Sequence, residues 1–266
     1  MPALTSALRK EYEDLFNKCK IRPGRINAVE KIINKIQGVK DRYQNVSNLS
    51  GVPWFFIGVI HNMESSLNFS KHLHNGDPLT SRTVQVPAGR PKKGNPPFTW
   101  EESAVDALSY EGFNSGTDWS LAGILYNLEK YNGFGYRKLD PKVLSPYLWS
   151  FSYHYEKGKY VEDGKFSETA VSDQCGVAVL LRRMAELGMI EFEDQPAPLP
   201  DAGPVVVAYS NVKSSDPVIA SRAEALQRWL NTHPGIFVKI DSVPGKLTSE
   251  AYKKVTDNYL PGDPRT

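Results

Sequence analysis

The sequence predicts a mainly α-helical protein: a helical domain with a small hairpin or loop region, joined to a small helical domain at the C-terminal end. Three observations lead there. Apolar residues recur at intervals of three and four along several stretches; one apolar run reaches the length of a helix buried on every side; and a proline cluster near residue 200 sets the last sixty or so residues apart. The 266 residues suffice for a sizeable core, and 40% apolar against 23% charged residues is a globular composition. Its 32 Lys and Arg against 30 Asp and Glu leave a net charge of +2, too little to argue for a nucleic-acid partner.

Taken in order, Ile26, Val29, Ile32, Ile33 and Ile36 recur at helical spacing after the breaker Pro23-Gly24, which predicts an amphipathic helix over 25–37. Residues 53–66 start with Pro53, suited to a first helical turn, run Trp54-Phe55-Phe56-Ile57-Gly58-Val59-Ile60 and turn polar at His61. A buried strand competes for this run, but the polar HNMESS end extends it to helix length. Residues 70–98, dense in Gly, Pro, His and Asn, read as a long loop with room for a short hairpin, and loops of that length are usually functional or disordered. Thr99 and Glu102 make a capping box for a helix to Tyr110, stopped by Gly112. Asp118 is expected to cap the next helix, which carries Leu121, Ile124, Leu125 and Leu128 inward and ends at Asn132-Gly133.

The run YLWSFSYHY alternates like a strand or a cleft wall, with about half of its aromatics assigned to core packing. A last long helix is predicted over 167–187. Four prolines between Pro196 and Pro204 read as a linker. Two helical patterns follow, Ile219 to Leu230 and Ala251 to Tyr259. The resulting division is a domain over 1–193, a linker over 194–204 and a second domain over 205–266.

Cys19 and Cys175 lie far apart and form no metal-type pair, and two cysteines make no disulfide scaffold. The start MPALTSALRKEYEDLF lacks the apolar core of a signal peptide, and no stretch approaches the ~20 apolar residues of a spanning helix. Synthesis in the cytoplasm is expected, with the export route unspecified.

Chemically able side chains concentrate in residues 61–78, where three of the five histidines fall. Glu64 sits at the polar end of an otherwise apolar helix, where burial disfavours the ionised carboxylate and suits it to act as a general acid; a helix-end carboxylate bonded to a neighbour is the plain alternative. Asp77, in a polar loop, is the candidate for a second, ionised carboxylate of a glycosidase-type pair, although an Asp in Asn-Gly-Asp-Pro equally serves as a turn former. His61, His72 and His74 with Glu64 and Asp77 have the chemistry of metal ligands, but the spacing fits no standard set; no metal and no cofactor is expected. Tyr131, Asn132 and Tyr136 make a second group, two aromatic faces and an amide suited to sugar rings and N-acetyl groups, or simply a glycine-terminated helix followed by a turn.

An apolar helix ending in Met63-Glu64-Ser65-Ser66 with Asn68 behind it, followed later by a helix ending in Tyr131-Asn132-Gly133, resembles the lysozyme superfamily, above all the lytic transglycosylases and goose-type lysozymes. The resemblance covers about residues 50–190. It implies that Glu64 is the general acid and that Tyr131 and Asn132 line the glycan cleft. The Gly-Leu-Met-Gln segment usual in transglycosylases is replaced here by HLHNGDPLTSRTVQVPAGRP, which leaves the second catalytic group to Asp77 or to the substrate's acetamido group. The stretches ALQRWLN, VKIDSVPGKLT and SEAYKKV resemble the small helical peptidoglycan-binding module of wall hydrolases, with Asp241-Ser242 in place of its Asp-Gly.

Together these imply a lysozyme-like enzyme that cleaves the β-1,4 bond between N-acetylmuramic acid and N-acetylglucosamine in peptidoglycan glycan strands and acts at the cell wall. Glu64 serves as acid and then as base, Asp77 steadies the cation or water, and Ser66, Asn68, His74, Tyr131, Asn132 and Tyr136 hold the sugars. A chitinase-like hydrolase and a non-catalytic glycan-binding protein are the alternatives.

Overall fold

The computed structural model describes residues 2–162, 164–192, 194, 204–233 and 235–266. Among them the chain forms ten α-helices and one two-stranded sheet, so the mainly helical expectation holds. The order is α1 (Ser6–Asn17), α2 (Ile26–Gly38), α3 (Lys40–Ser50), α4 (Trp54–Ser65), α5 (Trp100–Tyr110), α6 (Leu121–Asn132), α7 (Pro146–Trp149), β1 (Lys159–Glu162), β2 (Lys165–Ser167), α8 (Val177–Glu186), α9 (Pro217–Leu230) and α10 (Lys246–Thr256).

Helix α4 sits in the core because its apolar run leaves no face for water: Phe56, Ile57, Val59 and Ile60 are fully buried. It packs on α3, α8 and α2, and α3 also packs on α5. Every residue of α8 is buried, including Arg182, Arg183 and Glu186. The three charges persist there because they are paired: Arg182 with Glu186, and Arg183 with both Glu186 and Glu30 of α2. The capping box of α5 forms as expected, with Thr99 Oγ1 accepting from the Glu102 N–H and Glu102 accepting from Thr99.

Four local expectations are corrected. Helix α6 is capped by Ser120, whose Oγ accepts from the Gly123 N–H; Asp118 instead accepts from the Ser120 N–H and pairs with Arg9 of α1. The helix expected over 167–187 starts only at Val177, because residues 170–176 are tied to the preceding segment: Gly176 N–H donates to Ser150 O, and Ser172 N–H to the Tyr155 hydroxyl. The alternating aromatic run forms one helical turn, α7, and then irregular chain with a single bridge from Ser152 to Ile21. Tyr147, Trp149, Phe151 and Tyr155 pack inward while Tyr153 stays exposed. The long loop over 70–98 has only an isolated bridge between Lys71 and Pro78, and the hairpin lies at β1–β2 instead.

The proline-rich linker falls mostly outside the described residues. Residues beyond it have their own apolar cluster, with Val207, Ala223, Leu226, Leu230, Tyr252 and Leu260 at its centre, and the Tyr252 hydroxyl donates to Asn27 of α2. Gln227 of α9 organises the 241–243 turn by accepting from the Asp241 and Ser242 N–H groups. That turn holds Ser242 at φ 62°, in the left-handed region where only glycine is unstrained. Ser242→Gly is therefore expected to raise stability by about 1 kcal/mol, read as a higher midpoint in urea unfolding. No helix among the described residues is long and apolar enough to cross a membrane.

Candidate active site around Glu64

Helix α4 ends because Ser66 and then Leu67 adopt left-handed backbone, φ 54° and 62°, so the chain turns sharply away. Ser66 N–H donates to Asn62 O and Leu67 N–H to His61 O, which closes the last helical turn. Glu64 lies within this turn. It is half-buried. The Glu64 carboxyl is pushed up to about 7, chiefly by burial and further by the negative charge of Glu111, against the opposing hydrogen bond from Tyr147.

Three helices bring their ends to this point. From α7, the Tyr147 hydroxyl reaches Glu64 Oε1 at 3.5 Å, a long hydrogen bond. From α6, Tyr131 lies beside it, its hydroxyl donating to Leu73 O at 3.1 Å and its ring stacked on Phe113. From the end of α5 comes Glu111. Burial and the Glu64 charge hold both phenols far above their usual range, so Tyr131 and Tyr147 are neutral hydrogen-bonding groups at any working pH. On the far side Gly76 packs so tightly against the Glu64 carbonyl that a Cβ would sit at 3.3 Å from it. Gln174 Nε2 donates to Met63 O and closes that edge. A carboxyl that keeps its proton in a large share of molecules near neutral pH, with a phenol bonded to it, is equipped to give a proton to an oxygen leaving group.

The other expected site residues separate into two groups. Asn132 lies exposed at the end of α6 and, with Tyr136, Lys138, Tyr160 and Glu162, lines a cavity of about 460 Å³ against the β1–β2 hairpin. Ser66 and Asn68 are exposed on the turn after Glu64, although Asn68 Oδ1 is occupied by the Ser70 N–H and hydroxyl. Tyr136 is buried, and its hydroxyl accepts from the Tyr160 N–H, so it props the hairpin and offers little surface to a sugar.

Two expectations fail on geometry. His74 has a buried imidazole whose Nε2 meets Asp106 Oδ2 at 2.9 Å, while Arg90 meets the same oxygen at 2.9 Å; it fastens the loop to α5 and does not hold sugar. Asp77 is the anchor of the loop tip. Its Oδ2 accepts from the N–H groups of Val84 and Gln85 and from Asn75 Nδ2. These hydrogen bonds favour the charged form and hold the carboxyl below its usual range. A polar loop with little apolar content has to be held by such internal acceptors, and this need competes with catalysis for the same residue.

This anchoring is present above the ordinary carboxylate range near 3.8 and is lost as pH falls through the lowered value. Asp77→Ala is expected to speed amide exchange of Val84 and Gln85 and protease cutting within 80–92, whereas Asp77→Asn, which keeps an acceptor, is expected to stay close to wild type. Equal exchange rates in Asp77→Ala and wild type would contradict this role.

The histidines serve structure. His61, pushed down to about 4 by burial, accepts or donates at the Tyr43 hydroxyl, and His72 bonds Ser103 and Ser81 O. No group of three or more His, Cys, Asp or Glu among the described residues is arranged to hold a metal ion. Tyr147 and Glu111 were missed as site residues in the sequence. Tyr147 belongs to an aromatic run that its spacing assigns to a wall, and Glu111 is one carboxylate at a helix stop, with nothing local to connect either to Glu64. Comparison of the chain with protein-family models, with curated proteins and with solved structures gives no match.

Proposed function

We propose that the protein cleaves peptidoglycan glycan strands at the β-1,4 bond between N-acetylmuramic acid and N-acetylglucosamine, with Glu64 as the general acid. The observation that carries this reading is a carboxyl at the last turn of a buried helix, bonded by the Tyr147 hydroxyl and raised to about 7, with the Tyr131 phenol nearby. The sequence resemblance to the lysozyme superfamily supports the same assignment for the same residue.

In this reaction Glu64 gives its proton to the bridging oxygen as the bond to the anomeric carbon breaks, leaving an oxocarbenium-like sugar. Water then quenches the cation and leaves a reducing end, or the muramyl 6-hydroxyl does so and leaves a 1,6-anhydro end. Tyr147 holds the acid in place through its hydroxyl, and Asn132 with the ring of Tyr160 offers an amide and an aromatic face to a neighbouring sugar. Residues 205–266 are proposed to keep the enzyme on the wall, its site of action.

The test is incubation of purified peptidoglycan, and separately of chitin oligosaccharides, followed by mass spectrometry of what is released. Muropeptides with a reducing or 1,6-anhydro muramyl end support the proposal and distinguish hydrolysis from transglycosylation. Release from chitin alone moves the substrate to N-acetylglucosamine polymers. Binding without release from either substrate contradicts catalysis.

A further inference from the structure

Nothing local in the chain connects Glu111 to Glu64. Glu111 follows α5 directly as its C-terminal cap, and its backbone carbonyl accepts from Lys130 Nζ of α6 at 3.1 Å. Lys130 is next to Tyr131 in the chain, and its ammonium also lies over the Phe113 ring on which Tyr131 stacks. These contacts place the end of α5 beside the end of α6, where Tyr131 stands next to Glu64. The Glu111 side chain is half-buried and has no hydrogen-bond or ion-pair partner among the described residues. The cation closest in the chain of contacts, Lys130, is turned to its carbonyl.

The Glu111 charge disfavours ionisation of Glu64, and no ion pair among the described residues neutralises it. Among the described residues the fully buried carboxylates are paired: Glu30 and Glu186 with Arg183, Glu129 with Arg137 and Asp263 with Arg265. The other groups around Glu64 are likewise occupied. Tyr147 from α7 donates to Glu64 itself and Tyr131 from α6 to Leu73 O. On α3 and α8, which also pack against α4, Arg42 is paired with Glu101, and Arg182 and Arg183 with Glu186 and Glu30, the last from α2. Among the described residues Glu111 is the carboxylate whose charge acts on Glu64, and no hydrogen bond or ion pair occupies its side chain.

We propose that Glu111 is the second carboxylate of the glycan-cleaving site, the base that takes the proton from the attacking water; this rests on the reading of Glu64 as the acid. Glu64 protonates the bridging oxygen, which keeps the electron pair of the broken bond. Water oxygen bonds to the anomeric carbon, and its proton passes to the Glu111 carboxylate. One water is consumed, and exchange with solvent restores Glu64 as acid and Glu111 as base. The positive charge that develops on the sugar ring is compensated by the unpaired Glu111 anion. The outcome is hydrolysis, with reducing ends.

The test uses the full chain with peptidoglycan. Glu111→Ala is expected to lower the cleavage rate by about 10²-fold or more, the contribution of a positioned base. Sodium azide, which can take the place of the missing carboxylate and attack directly, is expected to restore turnover and yield a muramyl azide visible by mass spectrometry. Glu111→Gln is expected to move the alkaline limb of the pH–rate profile to lower pH, because the Glu111 charge raises the Glu64 carboxyl. A role confined to its charge would shift the limb but give no azide adduct, so a shifted limb without the adduct overturns the assignment as base. Wild-type rate, limb and products in both Glu111 variants, with Glu64→Gln inactive, overturn the proposal and leave the function intact. If wild-type protein cleaves no glycan, the function fails and this proposal falls with it.

Discussion

Glu64→Gln is expected to lower glycan cleavage by about 10²- to 10⁴-fold, the contribution of a positioned general acid. The amide keeps the shape of the side chain and its contact with Tyr147 but has no proton to give. Stability should change in the opposite direction. The folded state binds the Glu64 proton more tightly than the unfolded chain does, so the wild type loses stability as pH rises from about 4.5 to about 7. Glutamine carries no such penalty, and the variant is expected to melt at a higher temperature than wild type at pH 8. Lost activity together with a raised melting temperature separates catalysis from folding. Retained activity in this variant would remove Glu64 from the reaction.

Arg183→Ala is expected to be the most damaging single change to the fold. The guanidinium is fully buried, donates to Glu30 and Glu186, and reaches Pro204 O at 3.0 Å. It therefore ties α8 to α2 and to the start of the C-terminal segment. Its removal leaves Glu30 without its cation and opens a large hole, at a cost of about 3–5 kcal/mol. Since buried ion pairs often exchange for apolar groups at little cost, Arg183→Met with Glu30→Gln is expected to recover much of that loss. Urea unfolding of the single and double variants reads both effects. A single-variant loss below about 1 kcal/mol would show that the pair contributes little.

The parts of the fold legible in the sequence are those where burial alone decides. The isoleucines of α2, the all-apolar run of α4, the capping box of α5 and the stripe of α6 each report a helix without reference to anything distant. Helix α3 was not legible: KDRYQNVSNLS is polar, and only Tyr43 and Val46 of it are buried, so it is a helix because α4 and α5 lie against it. The late start of α8 has the same origin, in bonds between 170–176 and the 150–155 segment that no local pattern announces.

The candidate site divides along the same line. Glu64 was legible because it interrupts an apolar helix at its last turn, and a carboxylate there is desolvated whatever the rest of the chain does. Tyr147 and Glu111 were not, since their place beside Glu64 comes from three helix ends converging. His74 and Asp77 were read as site residues because they are polar and close in sequence. The loop uses them as its own fasteners, His74 to Asp106 and Asp77 to the Val84 and Gln85 amides, and that use follows from the loop having almost no apolar content with which to fix its shape.

Catalysis by Glu64 requires a carboxyl that keeps its proton up to neutral pH, and the direct measurement is its own titration, followed by carboxyl carbon NMR with Glu64→Gln to assign the resonance. The expected midpoint is near 7, well above the ordinary 4.5 of a glutamate. A midpoint at the ordinary value would mean that Glu64 is a solvated helix-end carboxylate, and the proposed acid would be lost.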